Sequence, residues 1–333
     1  MKIKDMDMQP RLSRRRLLAA CVAAPALAGL GLASRSAQAQ DAEIRTLDLD
    51  WVDTARQRPV PVRLYLPVAA TPERPVPLVV FSHGIGGSRR GYSYLGSHFA
   101  AEGFASLHLQ HVGSDRSLWG AGNPLALVGR LQDAAQEAEA IARVHDLRFA
   151  ISQALGGEFG SRLDGQRVVA AGHSYGANTT LLASGAQVVR GGRPLDLREP
   201  RIRAAIVISA PPFYGEPSLA PILGPVRVPS LHISATEDVI RIPGYYSGPE
   251  DRVAVFDAIG SPRKTLALFS GGSHSMFTDR AGTGGVLLNG QVKAATKELG
   301  TAFLRQVLDG DEAALRSWPQ RHAAIVARFV TAG

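Results

Sequence analysis

The amino-acid sequence predicts an α/β fold, in which helices cover both faces of a mostly parallel central sheet and small excursions form a lid or rim. Two observations predict this class. From Ala42 onward, strand-like and helix-like stretches alternate along the chain. Most of the strand-like stretches are short continuous apolar runs, typical of strands buried on both faces of a sheet. Of the 333 residues, the part from residue 40 onward is long enough for one large α/β domain.

Residues 1–39 are predicted to be an export signal rather than part of the fold. Residues 13–18 read Ser-Arg-Arg-Arg-Leu-Leu, a twin-arginine pattern, and an apolar run over 17–33 is followed by the cleavage signal Ala37-Gln38-Ala39. We therefore expect a cleaved leader over 1–39, a single domain over 40–333, and a periplasmic or secreted protein without a stable membrane span. The alternative, a membrane helix over 17–33, is at the short limit for crossing a bilayer.

Charge and cysteine usage exclude other classes of protein. Five of the eight net positive charges lie in the first 39 residues, and the remaining arginines are scattered along the chain, so no nucleic-acid partner is predicted. The one cysteine, Cys21, also lies in the leader. The domain that follows therefore has no disulfide and no thiol nucleophile.

The strands are predicted in two groups. Residues 44–52 and 60–66 alternate polar and apolar, typical of a solvent-facing antiparallel edge at the start of the sheet. The buried strands that follow are each four to eight residues long and rich in Val, Ile, Leu or Phe: 76–82, 104–110, 167–172, 204–209, 230–234 and 265–269.

Helical patterns and loops lie between these strands. The clearest helix is 132–155, whose apolar residues recur every three or four positions and which ends at Gly156 and Gly157. The Pro/Gly-rich loops 112–124 and 211–229 follow strands at the end of the sheet where ligands bind, so both are candidates for a lid or rim. The other predicted helices are 92–102, 177–184, 249–259 and 291–308.

Residues 172–176 carry the decisive motif, Gly-His-Ser-Tyr-Gly, between the strand 167–172 and the helix 177–184. This is G-x-S-x-G in a strand-turn-helix context. Such a turn holds the serine hydroxyl exposed in a strained conformation, and the flanking glycines leave room for it. Ser174 is therefore the predicted nucleophile. The alternative is an ordinary strand-to-helix turn.

A base and an acid follow Ser174 in the order that this motif requires. His274 lies in a glycine loop after the strand 265–269, and Asp238 lies after the strand 230–234. We expect His274 to accept the hydroxyl proton and Asp238 to orient the imidazole and offset its charge. Glu237 adjoins Asp238 and is the alternative acid, although the shorter carboxylate is usual in this role.

Backbone donors for an oxyanion are predicted in residues 83–87, His-Gly-Ile-Gly-Gly, which follow the strand 76–82. The predicted pair is the N–H of Ile85 and the N–H of Tyr175, directly after the nucleophile. A dinucleotide fingerprint fails because Arg89 stands where a third glycine is required. No phosphate-binding loop, H-E-x-x-H motif or cysteine ligand occurs, so no cofactor and no metal are predicted.

Taken together, these motifs resemble the α/β-hydrolase superfamily. Residues 80–89, Val-Phe-Ser-His-Gly-Ile-Gly-Gly-Ser-Arg, then Tyr-Ser at 92–93 and Gly-Phe at 103–104, are similar to platelet-activating-factor acetylhydrolases and dienelactone-hydrolase-like esterases. The similarity spans about residues 76–308. Two differences stand out: dienelactone hydrolases use cysteine where Ser174 stands, and the acetylhydrolases carry Glu-His and an Asp soon after where residues 110–113 read Gln-His-Val-Gly.

The resemblance implies a serine esterase that forms an acyl-enzyme from a small-molecule or lipid-like ester. A thioester, lactone or polyester substrate for the same triad, and a ligand-binding relative without turnover, remain alternatives. Trp119, Phe213, Tyr214 and Met276 lie on or beside the rim loops and are expected to form an apolar acyl or alcohol pocket, or else to serve as packing residues. The sequence predicts no particular oligomeric state.

Overall fold

The apolar runs of the sequence form strands, and most of the stretches between them form helices. The computed structural model describes residues 43–120, 123–242, 244–283 and 285–332. The strands are β1 (Ile44–Asp53), β2 (Arg58–Pro67), β3 (Val76–Ser82), β4 (Ala105–Leu109), β5 (Leu163–His173), β6 (Gln187–Arg190), β7 (Arg193–Asp196), β8 (Ile202–Ile208), β9 (Ser230–Ala235), β10 (Ile240–Ile242), β11 (Tyr245–Ser247), β12 (Lys264–Phe269) and β13 (Val326–Ala332). The α-helices are α1 (Ser93–Ala101), α2 (Pro124–Ala134), α3 (Glu137–Gly156), α4 (Tyr175–Ala183), α5 (Ala220–Leu223), α6 (Pro249–Ala258), α7 (Val286–Asp309) and α8 (Ala313–Arg321).

A nine-stranded sheet runs through the molecule in the order β1-β2-β4-β3-β5-β8-β9-β12-β13. The six strands from β4 to β12 pair in parallel, whereas β1 and β2 form an antiparallel edge on one side and β13 pairs antiparallel with β12 on the other. All eight predicted strands are present, and β13 is an addition that the sequence did not predict. Because the central strands are parallel, their carboxyl ends meet at one edge, where open α/β sheets bind their ligands.

Helices cover both faces of the sheet and bury a separate core on each side. Val80 faces the core shared with α3 and α4, whereas its neighbours Val79 and Phe81 face the core shared with α1, α7 and α8. This alternation follows from the two-residue period of a strand. The predicted α/β fold, with a mostly parallel sheet between two layers of helices, is confirmed.

The predicted helix 132–155 is in fact the end of one helix and the whole of the next. α2 ends at Ala134, Gln136 has an extended backbone (φ −65°, ψ 153°), and α3 begins at Glu137. Glu137 and Glu139 in the first turn of α3 suit the positive end of a helix dipole, which favours a new start there. The predicted end at Gly156 is correct.

Two small hairpins, β6–β7 and β10–β11, are excursions from the main sheet. β6 and β7 are joined by Gly191 and Gly192, which have φ values of 57° and 76°. Positive φ at both central residues defines a tight hairpin turn, and a Gly-Gly pair favours it. Sequence reasoning missed this signal.

The described residues from 43 onward belong to one compact unit, Gln40–Gly333. The predicted export signal over 1–39 lies outside the described residues. In the part of the chain that the structure describes, no helix is both long enough and apolar enough to cross a bilayer.

Candidate active site

Ser174 occupies a sharp turn between β5 and α4. Its backbone has φ 56° and ψ −125°, a conformation that a residue with a side chain rarely adopts. The flanking glycines are required by close packing, because a Cβ at Gly176 would collide with the carbonyl oxygen of Ser82 and a Cβ at Gly172 with that of Gly176. The local sequence therefore forces the serine into the strained turn that the motif predicts.

His274 and Asp238 both reach the turn that holds Ser174. His274 begins a short 3-10 turn after β12, and its Nε2 lies 2.8 Å from Ser174 Oγ. Its Nδ1 lies 2.7 Å from Asp238 Oδ1. With Nδ1–H donating to the carboxylate, Nε2 is free to accept the serine proton. Three side chains that are 36 to 100 residues apart in the chain thus form one line of hydrogen bonds.

The carboxylate that contacts His274 is Asp238 and not Glu237. Asp238 is completely buried and accepts a hydrogen bond from Ser234 Oγ at 2.7 Å, whereas Glu237 is exposed. Burial tends to raise the pKa of Asp238, but the electrostatic interaction and hydrogen bond with His274 and the charge of Arg252 outweigh it and hold this pKa below its ordinary value. The carboxylate is therefore ionised at neutral pH.

His173 connects the backbone of His274 to Tyr92, a supporting role that sequence reasoning missed. Its Nε2 donates to the carbonyl oxygen of His274 at 3.0 Å, and its Nδ1 accepts from Tyr92 Oη at 2.8 Å. The centres of the His173 and His274 rings are 4.8 Å apart. Burial lowers the pKa of His173 to about 3, so this ring is neutral and adds no charge beside His274.

The loop after β3 lies directly against Ser174. A Cβ at Gly84 would be 3.2 Å from Ser174 Cβ, and the amides of Gly84 and Gly86 donate to Tyr92 Oη at 3.4 Å and to the Ser114 carbonyl at 2.8 Å. Among the described residues, the amides of Ile85 and Tyr175 donate to no protein acceptor. Both N–H groups are thus available to an oxygen of a bound ligand.

The family model of platelet-activating factor acetylhydrolase, isoform II, matches residues 58–119. The match begins at β2, includes β3, the glycine loop and β4, and ends at Trp119. Together with the mostly parallel sheet, this match shows that the chain has the α/β-hydrolase fold. Ser174, Asp238 and His274 lie beyond the matched residues, so their roles are argued from the geometry of the site. No curated protein matches the chain significantly.

A cavity of about 340 Å³ opens beside Ser174. Five of the predicted site residues line it, namely Ser174 itself, Ile85, Tyr175, Phe213 and Tyr214. The sequence did not reveal the other lining side chains, which come from α2, α3, α4, the two hairpins and the segment after β7. Most of them are apolar: Leu131, Ile141, Leu182, Val188, Leu195, Leu197, Ile240 and Ile242. This size and character suit one apolar part of a small ligand.

The polar groups of the cavity lie mainly at its rim. Arg190 at the end of β6 forms ion pairs with Glu137 at the start of α3 and with Glu216 in the loop after β8. These pairs join three walls of the cavity. Among the residues that the structure describes, no group of three or more His, Cys, Asp or Glu side chains is arranged to hold a metal ion.

The predictions that placed Met276 and Trp119 in the pocket are wrong. Met276 is completely buried in the core that the sheet shares with α1, α7 and α8, and its sulfur packs against Gly272. The 3-10 turn that begins at His274 directs the side chain of its third residue into this core. Trp119 is half exposed, and its Nε1 donates to the carbonyl oxygen of Gly86 at 2.8 Å. It supports the glycine loop and does not line the cavity.

Proposed function

We propose that this α/β-hydrolase cleaves carboxylic esters through an acyl-enzyme on Ser174. The observation that carries the proposal is the continuous line of hydrogen bonds from a strained serine through His274 to a buried, ionised carboxylate. The acetylhydrolase family model that matches residues 58–119 supports ester hydrolysis as the general activity.

In the proposed first half-reaction, Ser174 Oγ attacks the ester carbonyl carbon while its proton passes to His274 Nε2. Asp238 holds the imidazole and stabilises the imidazolium that forms. The carbonyl oxygen becomes an oxyanion and accepts hydrogen bonds from the N–H groups of Ile85 and Tyr175. Collapse of this intermediate breaks the ester bond, and His274 gives its proton to the leaving alcohol.

The second half-reaction repeats these steps with water as the nucleophile. His274 takes a proton from water, the resulting hydroxide attacks the acyl-enzyme, and Ser174 Oγ leaves with the proton that His274 returns. The products are the carboxylic acid and a regenerated serine.

The cavity supports an ester with an apolar acyl or alcohol part. Its walls are mostly aliphatic side chains, and the charged groups lie at the rim, so a charged group would lose hydration on entering. Thioesters, lactones and polyesters contain the same reacting carbonyl. They are therefore alternative substrates for the same triad.

Hydrolysis of short and medium-chain 4-nitrophenyl esters by the purified protein tests the proposed function. Ser174→Ala should lower kcat by about a million-fold, since the triad acts as a unit. Ser152→Ala, on α3 away from the cavity, is the matched control and should leave kcat unchanged. Undiminished turnover by Ser174→Ala would refute the assignment, and an array of thioesters, lactones and polyesters under the same conditions would rank the substrates.

We further propose that residues 1–39 direct export by the twin-arginine route. The support is the pattern of residues 13–18, the apolar run after it and the Ala37-Gln38-Ala39 signal. The exported protein should begin at Gln40 by mass spectrometry, and replacing both Arg14 and Arg15 with Lys should leave an uncut precursor in the cell. An exported protein that still begins at Met1, or export that is unaffected by the two lysines, would contradict this.

A further inference from the structure

Arg143 lies in the middle of α3 and is completely buried behind the loop that follows β3. Its Nη2 donates to the carbonyl oxygen of His83, its Nη1 to Ser114 Oγ at 2.8 Å and its Nε to Thr179 Oγ1 at 2.9 Å. The guanidinium carbon is also 4.4 Å from the centre of the Tyr175 ring. One side chain therefore joins the loop after β3, the loop after β4 and the first turns of α4.

These contacts lie beside both amides that the mechanism assigns to the oxyanion. The loop carbonyl bound by Arg143 is two residues before Ile85, and Tyr175, whose ring stacks on the guanidinium, supplies the other amide. Ser114 also accepts from the amide of Gly86 through its carbonyl oxygen. The distance between the two oxyanion donors thus depends on segments that Arg143 holds together.

None of the three hydrogen-bond acceptors of Arg143 carries a charge. Burial lowers the pKa of Arg143 to about 10, so the guanidinium is still protonated at neutral pH. The connection to a carboxylate is indirect, through Ser114 Oγ, which donates to Glu139 Oε1 at 2.8 Å. A buried cation without a directly bound carboxylate is costly to desolvate, and it favours negative charge that develops nearby.

We propose that Arg143 is the positioning residue of the oxyanion hole. It fixes the amides of Ile85 and Tyr175 relative to each other through the backbone and side chains that it binds, and its buried charge stabilises the oxyanion more than the neutral ester. This inference rests on the proposed ester hydrolysis, and it adds a residue of α3 to the machinery of that reaction.

Arg143→Met, which keeps the length of the side chain, should lower kcat by about a hundredfold to a thousandfold, the loss typical of removing one oxyanion donor. KM should change by no more than about threefold, because the ground-state ester carries no charge. Butylboronic acid forms a tetrahedral anionic adduct with a reactive serine, and its affinity should fall by about as much as kcat. A merely structural role would not produce this parallel loss.

Arg201→Met is the matched control. Arg201 binds Glu199 and also contacts α3, at the Arg148 carbonyl oxygen and Ser152 Oγ, but lies outside the site. The Arg201→Met variant should leave kcat and boronate affinity unchanged.

Thr179→Val, which is nearly isosteric and removes one acceptor of Arg143, should lower kcat by about threefold to tenfold without raising KM. It tests the same contact if Arg143→Met does not fold.

The outcomes separate this inference from the proposed function. If the wild-type protein hydrolyses esters and Ser174→Ala does not, but the folded Arg143→Met variant retains its kcat and boronate affinity, then Arg143 has no positioning role and the proposed function stands. A loss confined to KM would overturn the inference as well. Absence of ester hydrolysis by the wild-type protein would refute the proposed function itself.

Discussion

At the scale of single residues, burial distinguishes two adjacent carboxylates, of which Asp238 contacts His274. Both Glu237 and Asp238 follow β9, and sequence reasoning favoured Asp238 only for its shorter side chain. In the structure Asp238 is enclosed, bound by His274 and Ser234 and close to Arg252, whereas Glu237 is exposed. A buried carboxylate beside a histidine can offset the charge that forms on the imidazole, and a hydrated one cannot do so as effectively.

Asp238→Asn should therefore lower kcat by about ten-thousandfold, because an amide no longer favours the tautomer of His274 that has its proton on Nδ1. Glu237→Gln is the matched control and should leave kcat within about twofold of the wild-type value. Steady-state kinetics of both variants on the same 4-nitrophenyl ester checks the prediction. The opposite order, with Glu237→Gln the more damaging change, would reassign the acid.

The site residues that sequence reasoning found are those with a motif or a fixed order along the chain. Ser174 was found because two glycines must flank a strained turn, and His274 because it follows the acid in a glycine loop. Met276 and Trp119 were misplaced because the direction of a loop side chain depends on packing that no local pattern reports. Arg143 was missed for a related reason, since a charged residue on an amphipathic helix is ordinarily expected at the solvent-facing side.

At the scale of elements, the hairpin β6–β7 forms one wall of the cavity. Val188 lines the cavity and is almost completely buried, whereas the next residue, Val189, is 53% exposed, as the alternation of a strand requires. The hairpin has its own two-stranded sheet and is joined to α3 by the ion pair of Arg190 with Glu137. Its inward side chains therefore set the space available to an apolar group.

Val188→Phe should narrow the cavity and lower kcat/KM for long-chain esters about tenfold or more, with little effect on the acetyl ester. Val189→Phe adds the same ring to the outer face of the same strand and should leave the chain-length profile unchanged. A series of 4-nitrophenyl esters from acetate to decanoate measures the profile of each variant. Equal profiles for both variants and the wild-type protein would show that the acyl chain does not enter this cavity.

The order of the strands and helices could be predicted well from the sequence, but the interruption between two helices and a strand at the sheet edge could not. Buried parallel strands are continuous apolar runs, so all eight predicted strands are present. The break between α2 and α3 was missed because the apolar period continues through Gln136, while the backbone departs from the helix at that residue. Strand β13 lies at an edge of the sheet and is only partly buried, which leaves a weak hydrophobic signal.

At the scale of the whole molecule, several buried histidines make the folded state sensitive to acid. Burial lowers the pKa of His108 and His111 to about 4 and that of His173 and His232 to about 3, and it holds the pKa of His83 well below the ordinary value. An unfolded chain titrates these groups near pH 6.5. Between about pH 6.5 and 4 the unfolded chain therefore binds protons that the folded chain does not.

The free energy of unfolding should consequently fall as the pH drops below about 6.5, by up to about 1.4 kcal/mol per pH unit for each buried histidine. Stability is fully present above this pH, because folded and unfolded histidines are then both neutral. Urea unfolding at pH 7.5, 6.5 and 5.5 measures how steeply the free energy of unfolding depends on pH. His232→Gln should make this dependence less steep, because about one proton fewer is taken up on unfolding. A free energy of unfolding that is constant from pH 7.5 to 5.5 would contradict the assignment of these rings as buried and neutral.

The most direct test of the central claim is covalent labelling with a fluorophosphonate, followed by peptide mapping. The account predicts one modified residue, Ser174, and no labelling of Ser174→Ala under the same conditions. Ser209 provides an internal comparison, since it also has a positive φ (52°) and is buried at the end of β8. Modification at Ser209 or another serine, or no modification at all, would contradict the assignment of Ser174 as the nucleophile.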